Sequence, residues 1–263
     1  MAAQDAARNI RALDMLATQD SWIHRLHPLG KLLTTVAYVG IVASFGRYET
    51  TALLPLLAYP LLMALLGDVP LGLLCRRVLA VMPFLILVGA LNPVLDRQPV
   101  WVMGTTVAQG WLTFASIVFK GVLTVSAALT LIATTGMQGV AFALRQLHVP
   151  RILVLQLQLT YRYIALLLDE VHRVLLAYRL RSHQKGVAFA EWGTLAGSVL
   201  LRAYARADRV YTAMRLRGFE GEYRMGMRRW QGMDTIWLLT CLAVCGVVRW
   251  VNVPVLLGWL LGM

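Results

Sequence analysis

The sequence predicts an all-α, polytopic membrane protein with about five transmembrane helices plus a cytoplasmic domain of long amphipathic helices. Apolar residues make up 59% of the 263 residues, and the mean hydropathy is +0.65, whereas soluble domains contain about 45–50% apolar residues. Charge is segregated, because long runs carry almost none while residues 145–229 hold 15 of the 25 Lys and Arg. Apolar spans joined to one basic domain account for both features.

The N-terminal segment, residues 1–28, is predicted to be cytoplasmic and interfacial. It mixes charges of both signs and lacks the apolar core of a secretory signal. Trp22 suits the headgroup region of a bilayer, and Pro28 would end a preceding helix. Residues 29–45 form the first predicted span, in which Lys31 is expected to extend its long side chain back to the membrane interface.

Further spans complete a predicted transmembrane region of four helices at residues 29–136. They are expected at residues 50–66, 78–95 and 107–135. Arg76 and Arg77 are expected to mark the boundary before the third span. Lys120 lies near the middle of the fourth, where a charge is costly, so it is expected to reach a polar neighbour such as Asn92 rather than to act in transport.

Residues 137–230 alternate apolar and charged positions at helical spacing, which predicts a cytoplasmic domain of amphipathic helices. One helix is predicted to begin at Pro150 and to run to Arg181. A second should begin near Phe189 and run to Arg217, where Gly218 offers a left-handed stop. The C-terminal segment, residues 231–263, is predicted to contain a final span at residues 234–251 and an apolar tail too short to cross again.

Basic residues in the short loops predict the orientation of the chain. The N-terminal segment, the loop with Arg76 and Arg77, and the basic domain fall on one side of the predicted spans. The alternate loops hold only Arg47 and Arg97. Because cytoplasmic loops carry an excess of Lys and Arg, we expect a multi-pass protein of the cytoplasmic (inner) membrane, with its N-terminus and basic domain in the cytoplasm.

A ten-residue phrase occurs twice in the basic domain. Residues 173–182 and 209–218 both read R-V-x-x-A-x-R-L-R-[S/G]. Basic residues favour helix C-termini because they complement the helix macrodipole, but that effect explains one arginine at each end rather than the same identities twice. A guanidinium at a helix tip can bind a carboxylate or backbone carbonyls of a partner. The repeat therefore predicts two docking points for two equivalent partner surfaces.

Nucleic acid is a poor candidate for that partner. Leu180 and Leu216 lie between the arginines of the phrase, and little aromatic surface for base stacking surrounds them. The membrane setting of the domain lowers the case further. We therefore predict a protein partner and no nucleic-acid binding.

Familiar catalytic motifs are missing from the sequence. It contains no P-loop, no G-x-S-x-G, no H-E-x-x-H and no C-x-x-C pair. Asp169 and Glu170 are interpreted as partners in helix-surface ion pairs rather than as an acid–base pair. His24 and His27 are interpreted as capping and interface residues, and the three cysteines imply no disulfide framework. These observations predict a non-catalytic protein without a resident metal or cofactor.

Several segments together match a known family. They are His24-Arg25-Leu26-x-Pro28-x-x-Lys31-Leu32, then Tyr161-Arg162-Tyr163 with Asp169-Glu170, and the x-R-x signatures Leu180-Arg181-Ser182 and Leu216-Arg217-Gly218. Over nearly its whole length the chain resembles the transmembrane T component of energy-coupling factor (ECF) type ABC importers, most closely the CbiQ-like permease of cobalt and nickel transporters. The resemblance implies that Arg181 and Arg217, at the ends of two coupling helices, contact two ATP-binding cassette ATPase subunits. It also implies a substrate-specific membrane subunit as a partner within the lipid bilayer.

Two residues depart from the pattern of that family. Ser182 stands where glycine is more common, and His27 stands where aspartate is common. A serine is small enough for a helix end, so the first signature is expected to keep its role. The change at His27 leaves the role of that position open.

Other functions are compatible with parts of the sequence. A T component for a vitamin such as biotin is the nearest alternative. A membrane enzyme acting on lipid headgroups would need a carboxylate or histidine cluster, and only Asp169-Glu170-His172 comes near one. A self-sufficient secondary transporter would show repeats among its spans, whereas the repeat found here lies in the basic domain.

Overall fold

Helices dominate the architecture. The structure, a computed structural model, describes residues 17, 19, 21–46, 51–95, 99–102, 105–182, 187–221 and 229–250. Its helices are α1 (Pro28–Ser44), a 3₁₀ helix (Thr51–Leu57), α2 (Ala58–Leu66), α3 (Leu71–Gly89), α4 (Leu91–Leu95), α5 (Gln109–Gln146), α6 (Arg151–Arg181), α7 (Phe189–Leu216) and α8 (Gly232–Trp250). An antiparallel hairpin of β1 (Pro99–Val102) and β2 (Thr105–Ala108) precedes α5.

The helices are suited to a bilayer. Within the described ranges, four are long and apolar enough to cross a membrane, namely Leu71–Pro93, Gln109–Gln146, Arg151–Arg181 and Gly232–Trp250. Two shorter apolar helices cover Pro28–Ser44 and Ala52–Leu66. The predicted all-α, polytopic membrane fold is therefore confirmed. The hairpin occupies part of a predicted loop and the first residues of the predicted fourth span.

One predicted helix boundary was wrong. The third helix begins at Leu71 rather than Val78, so Arg76 and Arg77 lie inside α3. The cause is local, because Gly67 caps α2 and Pro70 has the extended backbone of a residue just before a helix. Proline is tolerated at a helix start, because the first N–H groups of a helix have no partner within it.

Some predicted segments lie outside the described residues. These are the N-terminal segment before residue 17, the loops that contain Arg47 and Arg97, and the tail 252–263. The predicted orientation depends on them in part, and it stays a prediction.

The described residues divide into two compact units. The first unit comprises residues 17–136 and 229–250, and the second comprises residues 137–221. Helix α5 enters both, and its backbone is broken at Gly136, where φ is 67° and ψ is 162°. Glycine is the residue that adopts such a positive φ at little steric cost. The four-segment division made from the sequence remains a prediction.

The core of the first unit joins α1, the 3₁₀ helix, α5 and α8. Its buried side chains are Tyr38, Val42, Phe45, Ala52, Leu53, Leu56, Leu123, Ala127 and Cys245. Tyr38 stacks on Tyr59 with ring centroids 4.5 Å apart, and its hydroxyl donates to the Leu56 carbonyl at 2.9 Å. The phenol therefore satisfies a carbonyl of the short 3₁₀ helix within an apolar cluster.

The start of α1 is fastened to the start of α8. His27 is buried, and its Nδ1 accepts a hydrogen bond from the Leu29 N–H at 3.2 Å. The His27 N–H donates to Oδ1 of Asp234 at 2.8 Å, and the Gln231 N–H donates to Oδ2 at the same distance. The capping role predicted for His27 is confirmed. One buried carboxylate thereby accepts hydrogen bonds from residues at the starts of both helices.

Lys31 does not extend to the interface as predicted. Its side chain is 1% exposed, and Nζ donates to the Thr134 carbonyl at 2.9 Å. A lysine in the first turn of a span can reach either water or a neighbouring helix end. Here a carbonyl of α5, two residues before the break at Gly136, lies within reach and accepts a hydrogen bond from the ammonium group.

Lys120 also differs from the prediction. Its Nζ donates to the carbonyls of Phe45 at 2.6 Å and Gly46 at 3.3 Å, just after the end of α1. Asn92 instead donates its side-chain amide to the Gly89 carbonyl at 3.2 Å. The terminal carbonyls of a helix have no partner within it and attract a cation, so Lys120 binds the end of α1 rather than a polar side chain.

Candidate functional site

Helices α6 and α7 of the second unit carry the doubled phrase, one copy at the end of each helix. Helix α6 begins at Arg151, because Pro150 has an extended conformation (φ −50°, ψ 135°) and lies just before the helix rather than in its first turn. Helix α7 begins at Phe189, where the sequence predicted it. The two helices are linked by an ion pair in which Nη1 of Arg202 donates to Oε1 of Glu170 at 2.8 Å. This contact confirms the ion-pairing interpretation of Glu170.

The first copy of the phrase ends in an extended residue. Helix α6 stops at Arg181, and Ser182 has φ −94° and ψ 131° while its N–H donates to the Tyr178 carbonyl at 2.8 Å. Any L-residue adopts such a backbone. Glycine is therefore not required at position 182, which accounts for the serine found there.

The second copy ends in a left-handed turn. Arg217 is the C-cap residue that follows Leu216, the last residue of α7, and Gly218 has φ +78°. The N–H of Phe219 donates to the Met214 carbonyl, and that of Gly218 donates to the Arg215 carbonyl, both at 3.0 Å. This pair of bonds is the Schellman motif, which uses a positive φ at the residue after the cap. The two signatures thus share a sequence pattern but end their helices by different backbone routes.

Alanine substitutions should separate the two endings. Gly218→Ala forces a side chain into the left-handed region, which costs about 1–2 kcal/mol, so the hydrogen bonds of Gly218 and Phe219 should open more often. Ser182→Ala should leave the backbone ending of α6 unchanged, because alanine adopts the same extended conformation. Amide hydrogen exchange at both helix ends measures the difference, and equal behaviour of the two variants would contradict this account.

Both helix ends present an arginine beside an exposed leucine. Leu180 is 80% exposed and Leu216 is 84% exposed, and the adjacent Arg181 and Arg217 are exposed as well. Each tip thus combines one apolar and one cationic side chain at the end of a helix. Each tip can offer a guanidinium to a carboxylate or carbonyl and a leucine to an apolar patch of the same partner.

A groove of about 890 Å³ runs between α6 and α7 next to the first tip. Arg173 and Arg181 line it from α6, and Glu191 and Arg202 line it from α7. The groove is therefore mainly positive, and Arg181 belongs both to the groove and to the exposed tip. No cluster of three His, Cys, Asp or Glu side chains that could hold a metal ion occurs among the residues that the structure describes.

One surface was missed by the sequence analysis. Phe189, Leu200, Tyr204 and Tyr211 are all exposed on α7, and their spacing places them within about 60° of one another around a helix of 3.6 residues per turn. We name these four residues the α7 apolar stripe. The helical period of the aromatic and leucine residues predicts it, but the sequence-based interpretation of this helix rested on its basic residues alone.

Comparisons with known proteins agree with these features. The sequence model of the CbiQ family, described as cobalt transport protein, matches residues 19–227. The energy-coupling factor transporter transmembrane protein EcfT of Listeria innocua is 26% identical over 258 residues, covering 89% of this chain and 95% of that protein. EcfT of Streptococcus thermophilus is 28% identical over 254 residues, covering 86% and 92%. The cobalt transport protein CbiQ of Salmonella typhimurium is 26% identical over 226 residues, covering 81% and 99%.

The matched region contains the four predicted spans and both helix tips. It covers most of the chain, and the relatives align over nearly their full lengths. The resemblance inferred from the sequence is thereby confirmed. The chain belongs to the CbiQ family, whose model is described as cobalt transport protein, and its relatives include transmembrane components of energy-coupling factor transporters.

Proposed function

We propose that the chain is the non-catalytic coupling subunit of an ECF-type importer for cobalt or nickel ions. Two ATP-binding cassette ATPase subunits bind the tips of α6 and α7, and a substrate-specific membrane subunit receives the motion that ATP drives. The observation that carries the proposal is the pair of exposed tips, Leu180-Arg181-Ser182 and Leu216-Arg217-Gly218.

The chemistry of the tips specifies the partner surface. An arginine requires carboxylate or carbonyl acceptors that match its planar fork, and the neighbouring leucine requires an apolar contact. Arginine is among the side chains that dominate binding energy at interfaces. Because both tips carry a leucine followed by an arginine, they fit two copies of one surface, as a dimer of ATPases provides.

The α7 apolar stripe supports a second partner of a different kind. Its exposed aromatic and leucine side chains lie on the second unit, away from the polar face on which Glu191 and Arg202 line the groove. An apolar face of this type suits a hydrophobic protein surface or a bilayer rather than a soluble, charged partner. We place the second unit, with this stripe, on the cytoplasmic side of the inner membrane.

The cargo assignment rests on relatives. The family description and the Salmonella typhimurium relative both name cobalt, which favours a transition-metal ion and includes nickel as its chemical neighbour. The relatives named EcfT carry no cargo in their names, and this keeps a vitamin such as biotin as the alternative.

Reconstitution tests the proposal. The chain is expressed with an affinity tag together with the ATPase and membrane subunits encoded in the same genome, purified, and placed in proteoliposomes. We expect the ATPases to co-purify, the tagged chain alone to hydrolyse no ATP, and the complex to accumulate radioactive cobalt when ATP is supplied. Purification of the chain alone under these conditions would contradict the coupling role, and uptake of biotin but not cobalt would establish the alternative cargo.

A further inference from the structure

We propose that Lys31 is a positioning residue that holds α5 broken at Gly136, and that the coupling subunit works with the helix in this broken form. The inference rests on the proposed function, because it concerns the working form of α5 in the proposed coupling subunit. Helix α5 is the described helix that belongs to both units, and its break falls on the last residue of the first.

The break removes Thr134 from regular helical bonding. In a continuous helix the carbonyl of Thr134 would accept the N–H of Gln138. Gly136 lies between them with φ 67° and ψ 162°, far from helical values. Nζ of Lys31 reaches the same carbonyl at 2.9 Å, so the ammonium occupies the acceptor that the next turn of α5 would use.

Electrostatics favour the ammonium at this point. The carbonyls at a helix C-terminus carry partial negative charge and attract a cation. Lys31 is buried, and it also interacts electrostatically with Asp234, which is 2% exposed. Asp234 is itself held by the N–H groups of His27 and Gln231. The lysine is therefore fixed between α1, α5 and the start of α8.

In the turns of α5 before the break, side-chain hydroxyls donate hydrogen bonds to the helix backbone. The hydroxyls of Ser126, Thr130 and Thr134 each donate to the carbonyl four residues earlier, at 2.6, 3.0 and 2.8 Å. Such bonds loosen and bend helices because they add a second donor to carbonyls of the ladder. This row of hydroxyls ends at the residue whose carbonyl Lys31 binds.

Lys120 provides a matched control. It is also a lysine of the first unit that donates to a carbonyl at a helix end, that of Phe45 at 2.6 Å. Its carbonyl belongs to the end of α1 and not to the break in α5. Replacing either lysine should therefore lower stability, whereas only replacing Lys31 should allow the break in α5 to close.

The experiment compares Lys31→Met, Lys31→Gln, Lys31→Arg and Lys120→Met in the full chain, with its ATPases, in lipid nanodiscs. If α5 closes in Lys31→Met, Gln138 takes over the Thr134 carbonyl, and amide exchange at residues 137–140 should slow by about tenfold. Lys31→Arg should retain the wild-type exchange, and Lys120→Met should leave residues 137–140 unchanged. Uptake by Lys31→Met should fall by about tenfold while ATPase binding persists.

Faster exchange at residues 137–140 in Lys31→Met, or an equal change in Lys120→Met, would overturn the inference and indicate a stabilising role only. Lys31→Gln keeps a hydrogen-bond donor without the charge. If Lys31→Met fails to fold, amide exchange at residues 137–140 in Lys31→Gln is compared with the wild type instead: slower exchange supports the inference, and equal or faster exchange overturns it. If the wild-type chain binds no ATPase, the proposed function fails. The exchange measurement on the chain alone still tests Lys31 in that case.

Discussion

Replacing both Arg181 and Arg217 with alanine is expected to abolish uptake while the chain still inserts into the membrane. Each substitution removes an exposed guanidinium from a helix tip and leaves the adjacent leucine in place. Truncation of a central interfacial arginine commonly weakens binding by about 2 kcal/mol or more. The double variant should therefore lose roughly 100-fold or more in affinity for the ATPase pair, which co-purification and uptake in proteoliposomes would measure.

Arginines two residues earlier supply the control for that experiment. Arg179 and Arg215 lie in the last turns of the same helices, so the pair of alanine variants removes the same charge without altering the signatures. We expect this control to retain the ATPases and most of the uptake. Equal losses in both double variants would show that overall charge, rather than the signature positions, holds the partner.

Asp234→Ala is expected to have the largest effect on stability. The carboxylate accepts the backbone N–H groups of His27 and Gln231, both at 2.8 Å, and is almost completely buried. Its removal takes the acceptor from the buried His27 N–H, at a cost of about 1–3 kcal/mol, and from the part-buried Gln231 N–H at a smaller cost. It also removes a negative charge that favours the buried ammonium of Lys31. Thermal unfolding in detergent should show a clearly lowered midpoint.

The matched variant for this prediction is Asp208→Ala. Asp208 is an exposed carboxylate on α7, so its removal should leave the midpoint within experimental error of the wild type. Asp234→Asn keeps the shape and one acceptor, and it should fall between the other two. If Asp234→Ala unfolds at the same temperature as Asp208→Ala, the carboxylate does not fasten α8 to α1.

The helix ends of the second unit could be predicted because their signals are local. Arginines in the last turn complement the helix dipole, and a glycine just after the helix permits the left-handed turn. Both act within a few residues, so Arg181, Arg217 and Gly218 were sufficient to place the ends of α6 and α7. The different backbone at Ser182 was not predicted, because a small residue fits an extended and a left-handed ending equally well.

The contacts of the first unit could not be predicted in the same way. Lys31 binds a backbone carbonyl of α5, and Asp234 binds backbone N–H groups near two helix starts. Every residue has such backbone groups, so the sequence carries no sign of which one a distant side chain will meet. The prediction for Lys120 was wrong for this reason. It paired the lysine with a polar side chain such as Asn92, whereas the acceptors are backbone carbonyls just after α1.

The hydrogen bonds that Lys31 and Lys120 donate in the first unit also limit where the sequence can tolerate insertions and deletions. Lys31 binds near the break of α5, and Lys120 of α5 binds the end of α1, so the helices run in opposite directions between these points. The interval from Lys31 to Phe45 equals that from Lys120 to Thr134. One inserted residue in either interval would turn the rest of that helix by about 100° and separate one lysine from its carbonyl. Insertions and deletions should therefore be poorly tolerated within these two intervals.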